Sequence, residues 1–185
     1  MSLVFCTATT DEELAQILAL QKANHSSTLS EADAARDGFV TVMHSFDLLR
    51  KMNNAAPQII AKDGQTVIAY ALVMLKSFSA MIPVLQPMFD RLSAIQFGDR
   101  KISQYRFYVM GQICVAESYR GKGVFNSLYE KHKEIHGDAF DICVTSVATR
   151  NKRSMRAHER VGFEIVNTFR DHTDEWNILV MKLQG

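Results

Sequence analysis

Two glycines beside basic side chains give this sequence its clearest chemical signal. Residues 120–123 read Arg-Gly-Lys-Gly, after an apolar run that ends at Val115 and before a helical pattern that begins at Val124. A helix N-terminus offers unpaired backbone N–H groups and about half a positive charge, and glycines let the backbone approach an anion closely. A strand, a basic glycine turn and a helix in this order predict a phosphate-binding site, although a plain surface turn has a similar pattern.

A second polar stretch, residues 151–163, also carries side chains that could do chemistry. Asn151 is a good helix N-cap and Gly162 is a natural helix stop, so a helix is predicted between them. His158 lies within this helix, and an imidazole with its ordinary pKa of about 6.5 can give up a proton at neutral pH. A capped surface helix without a chemical role is the alternative interpretation of the same residues.

Apolar periodicity places both stretches in a chain of alternating strands and helices. Strands are predicted at 3–9, 58–62, 66–75, 105–115, 141–148, 163–170 and 176–183, and helices at 10–22, 31–37, 46–52, 124–136 and 151–161. Strand, helix and strand over 105–148 imply a parallel crossover unit. Without a repeat or a linker, the 185 residues are expected to form one mixed α/β domain over residues 1–185.

Bulk composition narrows the partners and the compartment. A net charge of +1 gives no general attraction to nucleic acid or to an anionic membrane. There is no apolar run of about 18 residues and no signal-peptide pattern at the N-terminus. Cys6, Cys114 and Cys143 lie in apolar runs typical of free buried thiols. We therefore expect a cytoplasmic protein that binds neither nucleic acid nor membrane.

Both polar stretches resemble motifs of one family. Residues 115–125, Val-Ala-Glu-Ser-Tyr-Arg-Gly-Lys-Gly-Val-Phe, resemble the Arg/Gln-x-x-Gly-x-Gly/Ala acyl-CoA signature of the GNAT superfamily of N-acetyltransferases. Residues 151–163 are similar to its Asn-x-x-Ala/Ser-x-x-x-Tyr/His-Glu-x-x-Gly-Phe segment. The motifs stand in the right order, and the resemblance covers nearly the whole chain. Phe125 departs from the pattern, because the family prefers Gly or Ala there.

This resemblance implies a fold and a co-substrate. The fold would be a single GNAT-like α/β domain whose mixed central sheet has about six to seven strands, with a parallel strand-helix-strand unit at its centre and helices on both faces. The co-substrate would be acetyl-CoA, and the acceptor a small-molecule or peptide amine. The residues implied in acetyl-CoA binding are Ile113, Cys114, Val115, Arg120, Gly121, Lys122, Gly123, Val124, Phe125, Asn151 and Ser154.

Acetyl transfer to an amine also needs proton transfer. By resemblance, His158 occupies a slot often held by a Tyr that protonates the departing CoA thiolate, which makes it the predicted general acid. An amine with a pKa of about 10.4 is neutral only about once in 2,500 at pH 7, so a base or a desolvating pocket must help. The strand 105–115 carries no carboxylate, and Glu117 follows it in a turn where a solvated role is expected. Gln112 or Tyr108 could orient a water instead, and the base stays unassigned.

Several alternatives stay open from the sequence. The missing carboxylate leaves room for a GNAT-like domain that binds acyl-CoA as a sensor or interaction module without turnover. His132 and His136 have metal-ligand spacing, but an exposed helix face is the expected interpretation and no metal is predicted. The segment 76–105 would either line the acceptor site, with Phe78, Met81, Met88 and Phe89 as an apolar wall, or form a packing insertion or homodimer contact.

Overall fold

The computed structural model describes residues 2–25, 40 and 42–184. Seven strands form one mixed sheet, and a separate short hairpin is formed by two more strands. The strands are β1 Val4–Thr7, β2 Ile59–Asp63, β3 Thr66–Met74, β4 Gln96–Phe97, β5 Arg100–Lys101, β6 Phe107–Val115, β7 Ile142–Ala148, β8 Glu164–Arg170 and β9 Glu175–Lys182. The helices in the described residues are α1 Asp11–Ala23, α2 Phe46–Ala55, α3 Gln86–Leu92, α4 Val124–His136 and α5 Lys152–Arg160. The helix predicted over 31–37 lies outside the described residues.

The sheet has the order β1-β2-β3-β6-β7-β9-β8, and β6 and β7 are its parallel pair. Helix α4 connects these two strands, so the predicted parallel crossover unit is confirmed at the centre of the sheet. The other strand pairs of this sheet are antiparallel. The predicted α/β class, with about six to seven strands in a mixed sheet, is therefore confirmed.

Helices cover both faces of the sheet, as predicted. On one face, buried side chains of α1, α2 and α3, such as Leu14, Leu49 and Met88, pack in one apolar cluster. On the other face, Leu128 of α4 packs on β2 and β3, and Met155 of α5 packs in a cluster with residues of β6, β7 and β9. The core therefore lies in two layers on either side of one sheet.

Local sequence signals explain where the helices begin. The hydroxyl of Thr10 accepts a hydrogen bond from the Glu13 N–H at 3.2 Å, and the Glu13 carboxylate accepts one from the Thr10 N–H at 3.2 Å. This pair is a capping box at the start of α1, which the Thr-x-x-Glu pattern from Thr10 to Glu13 predicts. The Asn151 side chain accepts from the Ser154 N–H at 3.1 Å and so caps α5 as expected.

The segment 76–105 contributes three of its four predicted wall residues to the core. Phe78, Met88 and Phe89 are buried in the core cluster on the α1 face, whereas Met81 is 53% exposed. None of these four side chains lines either of the two cavities described below. The interpretation as an apolar wall of the acceptor site is therefore not supported, because the aromatic and methionine side chains are used to extend the core.

The parallel strands β6 and β7 diverge soon after they start. They pair only where Phe107–Val109 faces Ile142–Val144. At Gly111 the pairing of β6 with β3 slips by one residue, since Leu72 opposes Gln112 while Val73 opposes Met110. A bulge of this kind bends its strand. Beyond it, the facing edges of β6 and β7 open into a wedge in the middle of the sheet.

Candidate functional site

The glycine turn between β6 and α4 has the backbone geometry of an anion site. Gly121 and Gly123 have φ angles of +73° and +80°, in the left-handed region that glycine tolerates best. Gly123 is the N-cap of α4, so no side chain at this position caps the first N–H groups of the helix. The first N–H groups of a helix have no partner within the helix. The turn therefore directs unpaired N–H groups and the positive end of the α4 dipole toward the space in front of it.

Arg120 braces this turn. Its Nε donates to the Val115 carbonyl at 3.0 Å, and its Nη2 donates to the Asn24 side-chain oxygen at 2.6 Å. These bonds connect the end of β6 with the C-terminal cap of α1. Lys122 lies differently, because its Nζ is 5.5 Å from the centre of the Tyr119 ring. The two basic residues of the turn therefore have separate roles, and Arg120 positions the loop.

A cavity of about 420 Å³ lies between the end of β6, the glycine turn and the helices α4 and α5. Ten of the eleven residues predicted to bind acetyl-CoA line it, and Lys122 is the exception. The ten are Ile113, Cys114, Val115, Arg120, Gly121, Gly123, Val124, Phe125, Asn151 and Ser154. The lining residues that the sequence did not single out are Asn24, Val40, Tyr119, Asn126, Arg153, Ala157 and Arg160.

Some of these additional residues could have been predicted from the sequence to line the cavity, and others could not. Arg153 belongs to a basic cluster that the sequence shows, and it lines the cavity together with Arg160. Spacing on α5 could have selected Arg160, which lies two turns after Arg153. Asn24 gives no comparable signal, because its place beside Arg120 depends on the packing of α1 against the centre of the sheet.

A second, smaller cavity of about 80 Å³ lies within the wedge. Its walls come from Met110–Ile113 of β6 and Thr145–Ala148 of β7, and Trp176 of β9 and His158 of α5 also line it. Val40, Ile113, Asn151 and Ser154 line both cavities, so the two spaces adjoin. The wedge therefore continues from the mouth at the glycine turn into the centre of the sheet.

His158 is only 1% exposed, and its state follows from its contacts. The Ser154 carbonyl accepts a hydrogen bond at 2.8 Å from Nδ1, which must therefore carry the proton. Burial lowers the pKa of His158 to about 4, so the ring is neutral at pH 7. Nε2 is buried and has no hydrogen-bond partner. In this neutral tautomer Nε2 carries a lone pair and no proton at pH 7. The prediction that His158 is the general acid stays a prediction.

Phe125 packs directly against this imidazole. The ring centres of Phe125 and His158 are 5.2 Å apart with the planes at 87°, an edge-to-face contact. Tyr129 and Phe163 also contact the His158 ring edge-on, at 5.8 and 5.2 Å. The departure from the family pattern at Phe125 therefore forms part of an aromatic shell that desolvates His158.

Gln112 and Tyr108, which could orient a water in place of a base, both make hydrogen bonds within the protein. Gln112 accepts hydrogen bonds from the Tyr70 hydroxyl at 2.6 Å and the Gln21 amide at 2.5 Å, and donates to the Val42 carbonyl at 2.9 Å. The Tyr108 hydroxyl shares a 2.9 Å hydrogen bond with His132, on the other side of the sheet. The Gln112 oxygen and the Tyr108 hydroxyl are therefore both engaged in hydrogen bonds within the protein. Glu117 is exposed in its turn, as expected.

His132 and His136 were expected on an exposed face, and this expectation is wrong. His132 is fully buried and His136 nearly so. The His132 ring stacks on Tyr108, and His136 Nε2 lies 3.0 Å from the Pro57 carbonyl. Aromatic stacking and these hydrogen bonds let the imidazoles enter the core. Within the residues that the structure describes, no group of three or more His, Cys, Asp or Glu side chains could hold a metal ion.

Comparisons with known proteins agree with this geometry. A model of the acetyltransferase (GNAT) family matches residues 26–163, three quarters of the chain, so the chain belongs to the GNAT family of acetyltransferases. No curated protein matches the sequence. None of the helices among the described residues is long and apolar enough to span a membrane.

Several solved structures share the fold. The ribosomal-protein-S18-alanine N-acetyltransferase from Escherichia coli has a TM-score of 0.66 and 11% identity, over 100% of this chain and 96% of that one. YncA from Salmonella typhimurium, determined with its cofactor acetyl-CoA, has a TM-score of 0.64 and 12% identity, over 100% and 95%. A chain of the NatC complex bound to Gag peptide and CoA has a TM-score of 0.64 and 15% identity, over 98% and 99%. At these identities the likeness shows the fold alone.

Proposed function

We propose that this protein transfers an acetyl group from acetyl-CoA to a primary amine, by direct transfer in a ternary complex. The observation that carries the proposal is the convergence of ten predicted residues on one cavity that opens into the β6–β7 wedge. The glycine turn and the start of α4 would hold the pyrophosphate through backbone N–H groups. The unpaired edge of β6, around Ile113 and Val115, would pair with the amides of the pantetheine arm as a further strand would.

Direct transfer is supported by the state of the thiol at the cavity. Cys114 lines the cavity, but burial raises its pKa to about 12. A thiol rather than a thiolate is a poor nucleophile at neutral pH, so an acyl-cysteine intermediate is not favoured. The thioester supplies an activated acetyl group, and the amine attacks it directly, without an acyl-enzyme intermediate. A backbone N–H of β6 would polarise the thioester carbonyl.

In this scheme His158 carries the proton that the attacking amine loses to the departing sulfur. As the C–N bond forms, Nε2 of neutral His158 accepts the proton that the amine loses. As the C–S bond breaks, the resulting imidazolium returns that proton to the sulfur. The residue thus acts first as acceptor and then as the general acid that the sequence predicted, and no net proton is consumed. Its low pKa keeps it unprotonated and ready at pH 7, at the expense of base strength.

The acceptor in this proposal is a small-molecule or peptide amine. Among the structural neighbours, the NatC complex is bound to a Gag peptide, and another is a spermidine N-acetyltransferase chimera. The alternative is an acyl-CoA sensor without turnover. One observation favours it: in the described part of the chain, no carboxylate lines either cavity.

Calorimetric titration with CoA and acetyl-CoA, followed by chromatographic measurement of CoA release with a panel of amines, tests the proposal. We expect binding of both and amine-dependent release of CoA. Chromatography avoids interference from the three protein cysteines. Binding without amine-dependent release would support the sensor, and no binding of any CoA compound would reject both.

His158→Phe tests the proton role within the same assay. The substitution keeps a ring in the aromatic shell and removes the nitrogen atoms, so turnover should fall about 100-fold while acetyl-CoA still binds. His172→Phe, in the exposed turn between β8 and β9, is the matched control and should turn over normally. If His158→Phe turns over as fast as the unmodified protein, His158 has no role in proton transfer.

A further inference from the structure

The narrow end of the β6–β7 wedge is closed by one side chain. Thr145 is the first residue of β7 beyond the last paired position, Val144. Its hydroxyl donates a hydrogen bond to the Met110 carbonyl on β6 at 3.0 Å. Thr145 is buried. The hydroxyl therefore bridges the two strands where their backbones part.

The space in front of this bridge is small. The cavity that Thr145 lines measures about 80 Å³. The adjoining cavity at the glycine turn measures about 420 Å³. The space beside Thr145 is therefore the narrow end of the wedge.

We propose that Thr145 is a specificity-determining residue that limits the acyl group to a short chain by closing the narrow end of the wedge. The inference rests on the proposed function, because it assumes that an acyl thioester enters the wedge from the larger cavity. Gly111, Val147 and Trp176 are among the other residues that line the small cavity. A longer acyl chain would have to displace the Thr145 side chain, since the well-packed sheet around the cavity gives way only at a cost.

Substitutions at Thr145 separate its volume from its hydrogen bond. Thr145→Ala removes both the methyl and the hydroxyl, and so opens the end of the cavity. Thr145→Val keeps the volume and removes only the hydroxyl. Thr145→Ser keeps the hydroxyl and removes only the methyl. Thr168→Ala, on the outer strand β8 with its hydroxyl bonded to Asn177, is the matched control for a threonine lost from a strand.

The experiment measures kcat/KM and calorimetric affinity for acetyl-, propionyl-, butyryl- and hexanoyl-CoA with one accepted amine. We expect the unmodified protein to prefer acetyl-CoA to butyryl-CoA by at least about tenfold, from a misfit of more than about 1.4 kcal/mol. Thr145→Ala should reduce this preference to about threefold or less. Thr145→Val and Thr168→Ala should keep the original order, and Thr145→Ser should fall between.

Each result decides something. Equal use of acetyl- and hexanoyl-CoA by the unmodified protein overturns the inference, and so does an unchanged preference in Thr145→Ala. A relaxed preference in Thr145→Val would show that the hydrogen bond, and not the volume, sets the limit, which also overturns it. If CoA compounds bind without turnover, calorimetry alone scores the chain-length order. If no CoA compound binds, the proposed function itself fails, which is a distinct outcome. Thermal melting of each variant confirms that it is folded.

Discussion

Three of the four buried histidines in the described residues have a strongly lowered pKa, and we therefore expect mild acid to destabilise this protein. His44 is 7% exposed, His132 is 0% exposed and His158 is 1% exposed. Burial lowers the pKa of His44 and His158 to about 4 and the pKa of His132 to about 3. In the unfolded chain, an imidazole titrates at about 6.5. These groups therefore bind fewer protons in the folded protein than in the unfolded one.

The sign and the size of the effect follow from this difference. Below about pH 6.5 the unfolded chain takes up protons that the folded protein refuses, so the free energy of unfolding falls as the pH falls. The free energy of unfolding continues to fall until the pH reaches the folded-state pKa values of these histidines. Between pH 7 and pH 5 each group contributes about 2 kcal/mol, and the three together about 6 kcal/mol. That is as large as the whole stability of many domains, about 5–15 kcal/mol.

The buried carboxylate of Glu13 does not add to this loss of stability between pH 7 and pH 5. The Glu13 carboxylate is partly desolvated, which raises its pKa, but hydrogen bonds from Lys62 and from the Thr9 and Thr10 N–H groups outweigh this and lower it overall. Its contribution is present above the ordinary Glu value of about 4.3 and is lost only below it. An experiment that stops at pH 5 therefore reports mainly on the histidines.

Urea unfolding at pH 7, 6 and 5, followed by circular dichroism, measures this loss directly. His132→Phe keeps the ring that stacks on Tyr108 but cannot take up a proton, so its loss between pH 7 and pH 5 should be about 2 kcal/mol smaller. His172→Phe, at an exposed turn, should lose as much as the unmodified protein. Equal stability at pH 7 and pH 5, or an undiminished loss in His132→Phe, would refute the reasoning.

Further outcomes test the glycine turn, the first helix cap and the thiols. Gly123→Ala forces a side chain into a φ of +80°, so the free energy of unfolding should fall by about 1 kcal/mol, with weaker CoA binding by calorimetry; unchanged CoA affinity would count against the turn as the pyrophosphate site. Thr10→Ala removes one half of the capping box and should cost about 1 kcal/mol in urea unfolding, with CoA affinity unaffected. Half-buried Cys6 should react first with a thiol reagent, while Cys143, with a pKa raised to about 12 by burial, reacts only on unfolding; equal rates for both would contradict the burial seen here.

Much of the fold was accessible from local sequence signals. Helix α4 begins at Val124 and ends at His136, as predicted, because glycines flank both ends. The Asp63-Gly64 turn between β2 and β3 was readable for a similar reason, since Gly64 has a φ of +60°. Chain reversals and caps depend on a few neighbouring residues, so one sequence is enough to find them.

Burial on α4 shows where such signals fail. The helical spacing of Val124, Leu128 and Ile135 predicts that all three lie on one apolar face. In the structure Ile135 is 40% exposed, and His132 and His136 take the inward positions. Their spacing continues the stripe from Leu128, but imidazoles are usually assigned to the surface. What admits them is a partner from elsewhere, such as the Tyr108 hydroxyl of β6. Pairings between distant segments cannot be read from one segment's pattern.

In the candidate site, too, local features could be predicted from the sequence and contacts between distant segments could not. The glycine turn and the α5 cap were predicted because each is local, and the structure brings both to one cavity. The Asn24 contact of Arg120 and the Thr145 bridge to Met110 were not predicted, since each joins segments far apart in the chain. The bulge at Gly111, which opens the wedge, likewise depends on the register with β3.

The departure from the family pattern at Phe125 becomes intelligible once its contact is known. Phe125 replaces a small residue on α4, and its ring meets the imidazole of His158 on α5 edge to face at 5.2 Å. Protein interiors tolerate changes that conserve total volume far better than single changes in size. An imidazole takes less space than the phenol ring of a Tyr, so His158 leaves room for the larger side chain at position 125. The proposed function uses this buried, neutral imidazole to accept and return a proton.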